Sequence, residues 1–138
     1  QRYSLTRKLR KSKAGLSFTD HMTETLAIEL AEYCAGRYPA NQVGLFKDKR
    51  FWMYRYAAPH QDYRFIVLKV GPATTGYACY MESVGSRNGM RHVKLLDISA
   101  LTDACFDLLI SAIETRTYSK LMLAYMSSPA TPEARRLG

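Results

Sequence analysis

Acidic residues are missing from the first fifteen positions, which hold Arg2, Arg7, Lys8, Arg10, Lys11 and Lys13 and so carry most of the chain's net charge of +8. The remaining positions are close to electrically balanced. A cationic leader on a near-neutral body points to a polyanionic surface as partner. Long apolar runs are also lacking. Phe65 to Leu68 is strand-sized, far short of the roughly 20 residues that span a bilayer, so the chain is expected to be soluble with no membrane partner. Cysteine is scarce: Cys34, Cys79 and Cys105 are far apart and form no C-x-x-C pair, which excludes a disulfide framework and a zinc knuckle. Three buried thiols fit a reducing intracellular compartment, cytoplasmic or nucleoid or nuclear. An Arg/Lys-rich, acid-free leader also leaves organellar targeting open.

Chemical motifs are equally sparse. His21, His60 and His92 stand alone, with no H-x-H or H-E-x-x-H spacing, so no metal and no other cofactor is expected. Gly71 to Gly76 has two glycines but neither a following Lys nor a helix after it, so it reads as a turn and not a phosphate loop. No serine sits in a nucleophile elbow. No period of 20 to 50 residues recurs, which excludes a repeat array.

What is present is enough for one domain. The chain has 138 residues, 47% of them hydrophobic and 23% charged, as ordinary globular domains do. We expect a flexible basic arm over 1–15, a single α+β domain over 16–126 and a loose tail over 127–138. Met22, Leu26, Leu30 and Cys34 recur every fourth residue and predict a helix over 19–36, capped by Ser17 or Thr19 and ended by Gly36 and Pro39. Short apolar runs at 42–46, 51–57, 63–70, 76–84 and 91–98, divided by turn residues, predict five strands. The dividers are too short for parallel crossovers, so the strands should form an antiparallel meander. Leu101, Ala104, Cys105, Leu108, Leu109, Ala112 and Ile113 then predict a second helix capped by Ser99, and Leu121 to Met126 a short helical turn. The expected order is α-β-β-β-β-β-α, with the helices packed on one face of a five-stranded sheet.

Nine of the sixteen aromatic residues lie between Phe46 and Tyr80. If 51–57 is a strand, Trp52, Tyr54 and Tyr56 share one face. Exposed rings beside cations stack unpaired bases while the cations meet phosphates. The function read from these residues is a non-enzymatic nucleic-acid-binding accessory domain for RNA or DNA, single-stranded or structured. Its phosphate contacts would be Arg2, Arg7, Lys8, Arg10, Lys11, Lys13, Lys47, Lys49 and Arg50, and its stacking rings Trp52, Tyr54 and Tyr56. Two alternatives use the same residues. Trp52 to Tyr56 has the composition of an interface centre, which suits a protein-binding regulatory or adaptor module or a homodimer. A small metal-independent ribonuclease would use Glu82 or His60 as base, His92 as acid and Arg64 to stabilise negative charge, provided the sheet register brings them to one face.

Overall fold

The computed structural model describes residues 14–37, 47–58, 61–84, 91–117 and 121–124. The element order is β1 (Ala14–Thr19), α1 (Glu24–Arg37), α2 (Lys49–Tyr56), β2 (Tyr63–Val70), β3 (Ala73–Val84), β4 (Arg91–Ala100), α3 (Asp103–Thr117) and β5 (Leu121–Ala124). The strands form one sheet in the order β1-β2-β3-β4-β5. Neighbours from β1 to β4 pair antiparallel, whereas β5 pairs parallel to β4, with His92 opposite Leu121. A parallel neighbour needs a crossover, and α3 supplies it.

The expected α+β class and antiparallel meander are present, but the meander has four members and not the five expected. The 63–70 run forms β2 as drawn, and the next two runs form β3 and β4 with slightly longer ends. Gly71 at φ 62 starts the two-residue turn between β2 and β3, a position that requires left-handed backbone, and Pro72 follows it. Three assignments are corrected. Residues 51–57 are not a strand: they lie in or beside α2, because the Asp48 carboxylate accepts the Phe51 N–H at 2.8 Å and starts a helix there. Residues 121–124 are a strand and not a helical turn. The helices do not share one face of the sheet. The 42–46 run and residues 1–13 and 127–138 lie outside the described residues, while Ala14 and Gly15, assigned to the arm, belong to β1.

The caps differ from expectation by a few residues. Thr23 caps α1, its Oγ1 accepting the Leu26 N–H at 3.1 Å, while Ser17 and Thr19 are strand residues. Thr102 caps α3 in the same way through Cys105 at 3.1 Å, while Ser99 sits in β4.

Each face of the sheet has its own core. Leu26, Leu30, Tyr33 and Cys34 of α1 and Trp52 and Tyr56 of α2 close over Phe65, Val67, Tyr77 and Cys79. On the opposite face, Cys105, Phe106, Leu108, Leu109 and Ile113 of α3 close over Ile66, Leu68, Ala78, Tyr80, Val93, Leu95 and Ile98. Alternation along β2 and β3 divides the residues between the two layers. Among the described residues no helix is long and apolar enough to cross a membrane.

Candidate functional site

Between β3 and β4 the register shifts: Cys79 faces Asp97, but Tyr80 faces Leu95. The extra residue is a β-bulge, and it breaks the alternation of β4. Leu95 and Ile98 pack under α3, while Leu96 and Asp97, consecutive in sequence, both turn toward α1 and α2. A bulge re-aims a side chain without breaking the sheet. Here it carries a carboxylate into an aromatic layer.

That carboxylate is well held. Lys47 Nζ donates to Asp97 Oδ2 at 2.7 Å, and the Tyr77 hydroxyl donates to the same oxygen at 3.0 Å. Lys47 also reaches the Tyr77 oxygen at 3.4 Å and lies 5.9 Å from the centroid of the Trp52 ring. Asp97 is 9% exposed. Its other oxygen, Oδ1, accepts no hydrogen bond among the described residues. The Cys34 thiol points at the Tyr77 oxygen from 4.0 Å, and the Tyr33 hydroxyl meets Ser99 Oγ at 2.9 Å. Tyr33 and Trp52 both pack edge-on against Tyr77, at 5.5 and 5.2 Å between centroids. Trp52 Nε1 is buried with no acceptor among the described residues.

Burial sets the protonation of the surrounding groups. It raises the Tyr77 phenol well above its ordinary value, with the Asp97 charge adding to the effect. It pushes the Cys34 thiol up to about 11 and raises the Cys79 thiol well above its ordinary value. Tyr77, Cys34 and Cys79 are therefore neutral donors or spectators near pH 7, and the charges at this spot are those of Asp97 and Lys47.

A second concavity lies on the other face of the sheet. A cavity of about 420 Å³ opens between the end of β1, the start of β2, the end of β3 and the last turn of α3, lined by Phe18, Asp20, Arg64, Tyr80, Glu82 and Arg116 among others. It does not contain the Asp97 cluster. The Asp97 carboxylate, partly desolvated and held by two donors, lies apart from this cavity.

Among the described residues, those expected to bind nucleic acid do not share one surface. Trp52 is fully buried and Tyr56 is 3% exposed, stacked on each other at 5.6 Å as i, i+4 partners of α2, whereas Tyr54 is 92% exposed. A helix separates what a strand would have aligned. The same geometry dissolves the sheet face assigned to a protein-binding module. Lys47 is committed to Asp97, Lys49 forms an ion pair with Glu24, and Arg50 is exposed on α2. Arg2, Arg7, Lys8, Arg10, Lys11 and Lys13 lie outside the described residues, as does His60. For the ribonuclease alternative, the register separates acid from base: Glu82 pairs with Val93, on the α3 face, and its neighbour His92 falls on the opposite one. Arg64 and Glu82 do meet, at the cavity. Among the described residues no three His, Cys, Asp or Glu side chains cluster as metal ligands.

The sequence takes Cys34 as a buried thiol, which it is, but gives Asp97 no role and Tyr77 only that of one more ring. The available signal was an acid between Leu96 and Ile98 inside a run that otherwise reads as a buried strand.

No family model and no curated protein matches the chain. Solved structures do. A ribosomal-protein-alanine N-acetyltransferase from Brucella melitensis biovar Abortus 2308 superposes with a TM-score of 0.59 at 13% identity, over 90% of this chain and 87% of that one. An integron cassette protein from the mobile metagenome of V. cholerae gives 0.62 at 12% identity, over 90% and 81%. An aminoglycoside N-acetyltransferase in complex with CoA gives 0.52 at 16% identity, over 90% and 84%. Identities this low speak to fold. They nonetheless overturn the reading of a non-enzymatic nucleic-acid-binding domain, together with its RNA or DNA partner, because the sheet is not an open stacking platform and its architecture is one on which acetyltransferases are built.

Proposed function

We propose that this chain transfers an acyl group to an amine, with Asp97 receiving the proton that the amine must lose. The observation that carries the reading is the β4 bulge, which places a carboxylate between Lys47 and Tyr77 on a fold shared with N-acetyltransferases. An ammonium has no lone pair and cannot attack a carbonyl. Asp97 Oδ1 is the free acceptor at the cluster, while Oδ2 is fixed by its two donors. Asp97 takes one proton from the ammonium and so frees the lone pair; as the C–N bond then forms, the bond from the acyl carbon to its leaving group breaks with the electron pair, and the leaving group takes up the second proton that the nitrogen sheds. Tyr77 stays protonated and orients the carboxylate, while Lys47 offsets a charge that would otherwise be costly to bury.

CoA, present in one of the compared acetyltransferase structures, is a natural donor to test against these residues. Its diphosphate would suit an open helix N-terminus, where unpaired N–H groups and the helix dipole favour anions. None of the three described N-termini is open. Thr23 and Glu24 occupy that of α1, the Asp48 carboxylate that of α2, and Thr102 and Asp103 that of α3. Leu101, just before α3, gives its N–H to the Thr75 carbonyl at 3.0 Å. Among the described residues the helix N-termini therefore do not fit a CoA diphosphate. The proposed transfer requires only an activated acyl group.

Incubating the protein with acetyl-CoA or with the acetyl thioester of N-acetylcysteamine, against a mixture of primary amines, and reading products by mass spectrometry tests the proposal. We expect acylated amine, and a loss of about 10²- to 10⁴-fold in rate for Asp97→Asn, measured at a temperature where the variant is folded, since Lys47 loses its counter-charge. No product from either donor removes the transferase reading, and full activity in Asp97→Asn removes Asp97 from it.

A further inference from the structure

The cavity on the α3 face holds two cations and two anions around two rings, a combination the proposed transfer does not use. Arg64 enters from β2, where its Nη1 donates to the Tyr63 carbonyl at 3.2 Å. Arg116 comes from the last turn of α3 and lies over the Phe18 ring, 4.2 Å from its centroid. Both guanidinium groups are thus positioned by contacts that consume little of their five-donor capacity. Among the described residues neither lies within ion-pair distance of a carboxylate. Asp20, hydrogen-bonded by His21 at 2.7 Å, and Glu82 bring negative charge to the same rim.

We propose that this cavity binds a small zwitterion, an α-amino acid with an apolar side chain, whose carboxylate meets Arg64 and Arg116, whose ammonium meets Glu82 and Asp20, and whose side chain lies against Phe18 and Tyr80. Charge balance selects the class. A simple anion would gain from the guanidinium groups but face two carboxylates, and a simple cation would meet the reverse, so only a ligand with both signs is matched throughout. Arginine supports the carboxylate end specifically, because its planar fork accepts a carboxylate through two parallel bonds. Size agrees: about 420 Å³ is near the small end of the usual range for ligand sites, roughly 300–1,000 Å³. The charges also converge, since the buried Tyr80 phenol is acted on by Arg116, Arg64 and Glu82 together.

The test is calorimetric titration of the protein with leucine and phenylalanine, and with two analogues of phenylalanine that each lack one charge, 3-phenylpropionate and phenethylamine. We expect saturable binding of the amino acids and binding about tenfold weaker for each analogue, the size expected from losing one charge-assisted contact. Arg64→Gln with Arg116→Gln should remove the advantage of phenylalanine over phenethylamine, and Glu82→Gln should remove its advantage over 3-phenylpropionate. No saturable binding of either amino acid in the millimolar range overturns the proposal. Equal binding of phenylalanine and an analogue overturns the zwitterion class, and that comparison uses the wild-type protein, so it stands even if a variant fails to fold.

Discussion

The two faces of the sheet are built from different chemistry. Under α3 the buried residues are largely aliphatic, with Ile66, Leu68, Val93, Leu95, Leu109 and Ile113 at their centre. Under α1 and α2 the layer holds Tyr33, Trp52, Tyr56, Phe65, Tyr77, Cys34 and Cys79, and an ion pair besides. Both exclude water, but the second holds most of the polar atoms that must be paired once buried. The aliphatic layer is a packing problem solved by shape. The aromatic layer is an electrostatic one, and the bulge in β4 creates it.

The widest separation between the faces should come from Asp97→Ala. It leaves the Lys47 ammonium, whose side chain is only 13% exposed, without its carboxylate, and we expect a loss of about 3–5 kcal/mol in denaturant unfolding. Replacing both partners with apolar residues of similar size, Lys47→Met with Asp97→Leu, should recover most of that stability and abolish acyl transfer. If the single and double changes cost the same, the unpaired Lys47 charge is not what destabilises the single variant, and the electrostatic contrast between the faces fails.

Alkaline titration tests the same layer less drastically. A thiol raised from 9.0 to about 11 is favoured in its neutral form by folding. Below pH 9 both folded and unfolded chains carry neutral Cys34, so its contribution is fully present. Above 9 the unfolded chain ionises first, and the contribution fades until the folded thiol ionises as well near 11. The loss across that window should be about 2–3 kcal/mol, and Cys34→Ser should flatten it. On the other face, Gly76→Ala should cost about 1–3 kcal/mol by overpacking alone, since a Cβ there would sit 2.9 Å from the Ser99 carbonyl oxygen and 3.1 Å from Leu109 Cδ1. Its penalty should not change with pH, because the contacts it creates are with a carbonyl oxygen and a methyl group, neither of which titrates.

Patterns of period and turn carried much of this fold in the sequence. The β2 and β3 hairpin, the β4 strand and the cores of α1 and α3 follow from alternation, from Gly71-Pro72 and from four-residue recurrence. The 51–57 segment failed because aromatic residues favour strands on average and alternate here as a strand would, while the decisive fact was one carboxylate, Asp48, closing on the Phe51 N–H. In the sequence the same Asp lies among the turn residues that divide 42–46 from 51–57. The candidate site was less legible for a different reason. Its geometry depends on a one-residue slip between β3 and β4, and a bulge leaves no periodic trace in a strand whose two sides are both buried. Strict alternation would have sent Asp97 and Leu95 to the same side. The cavity shares this limit, because it joins Arg64 to Arg116 across an interval that only the packing of α3 closes.

The smallest expected effect compares the caps of the helices that cover the two faces. Thr23→Ala removes the acceptor of the Leu26 N–H on α1, and Thr102→Ala removes that of the Cys105 N–H on α3. Each should cost about 1 kcal/mol, visible as faster amide exchange confined to the first turn. Their consequences for anions differ from their cost in stability. Freed N–H groups alone should not attract a diphosphate to α3, because Asp103 remains in the first turn and repels it. Thr102→Gly with Asp103→Asn removes both obstacles, so this double variant should gain measurable affinity for 3′-dephospho-CoA over pantetheine while wild type and Thr102→Ala do not. A wild-type protein that already prefers the diphosphate-bearing ligand would show that the side-chain caps do not decide the matter and that residues outside the described segments supply the anion site.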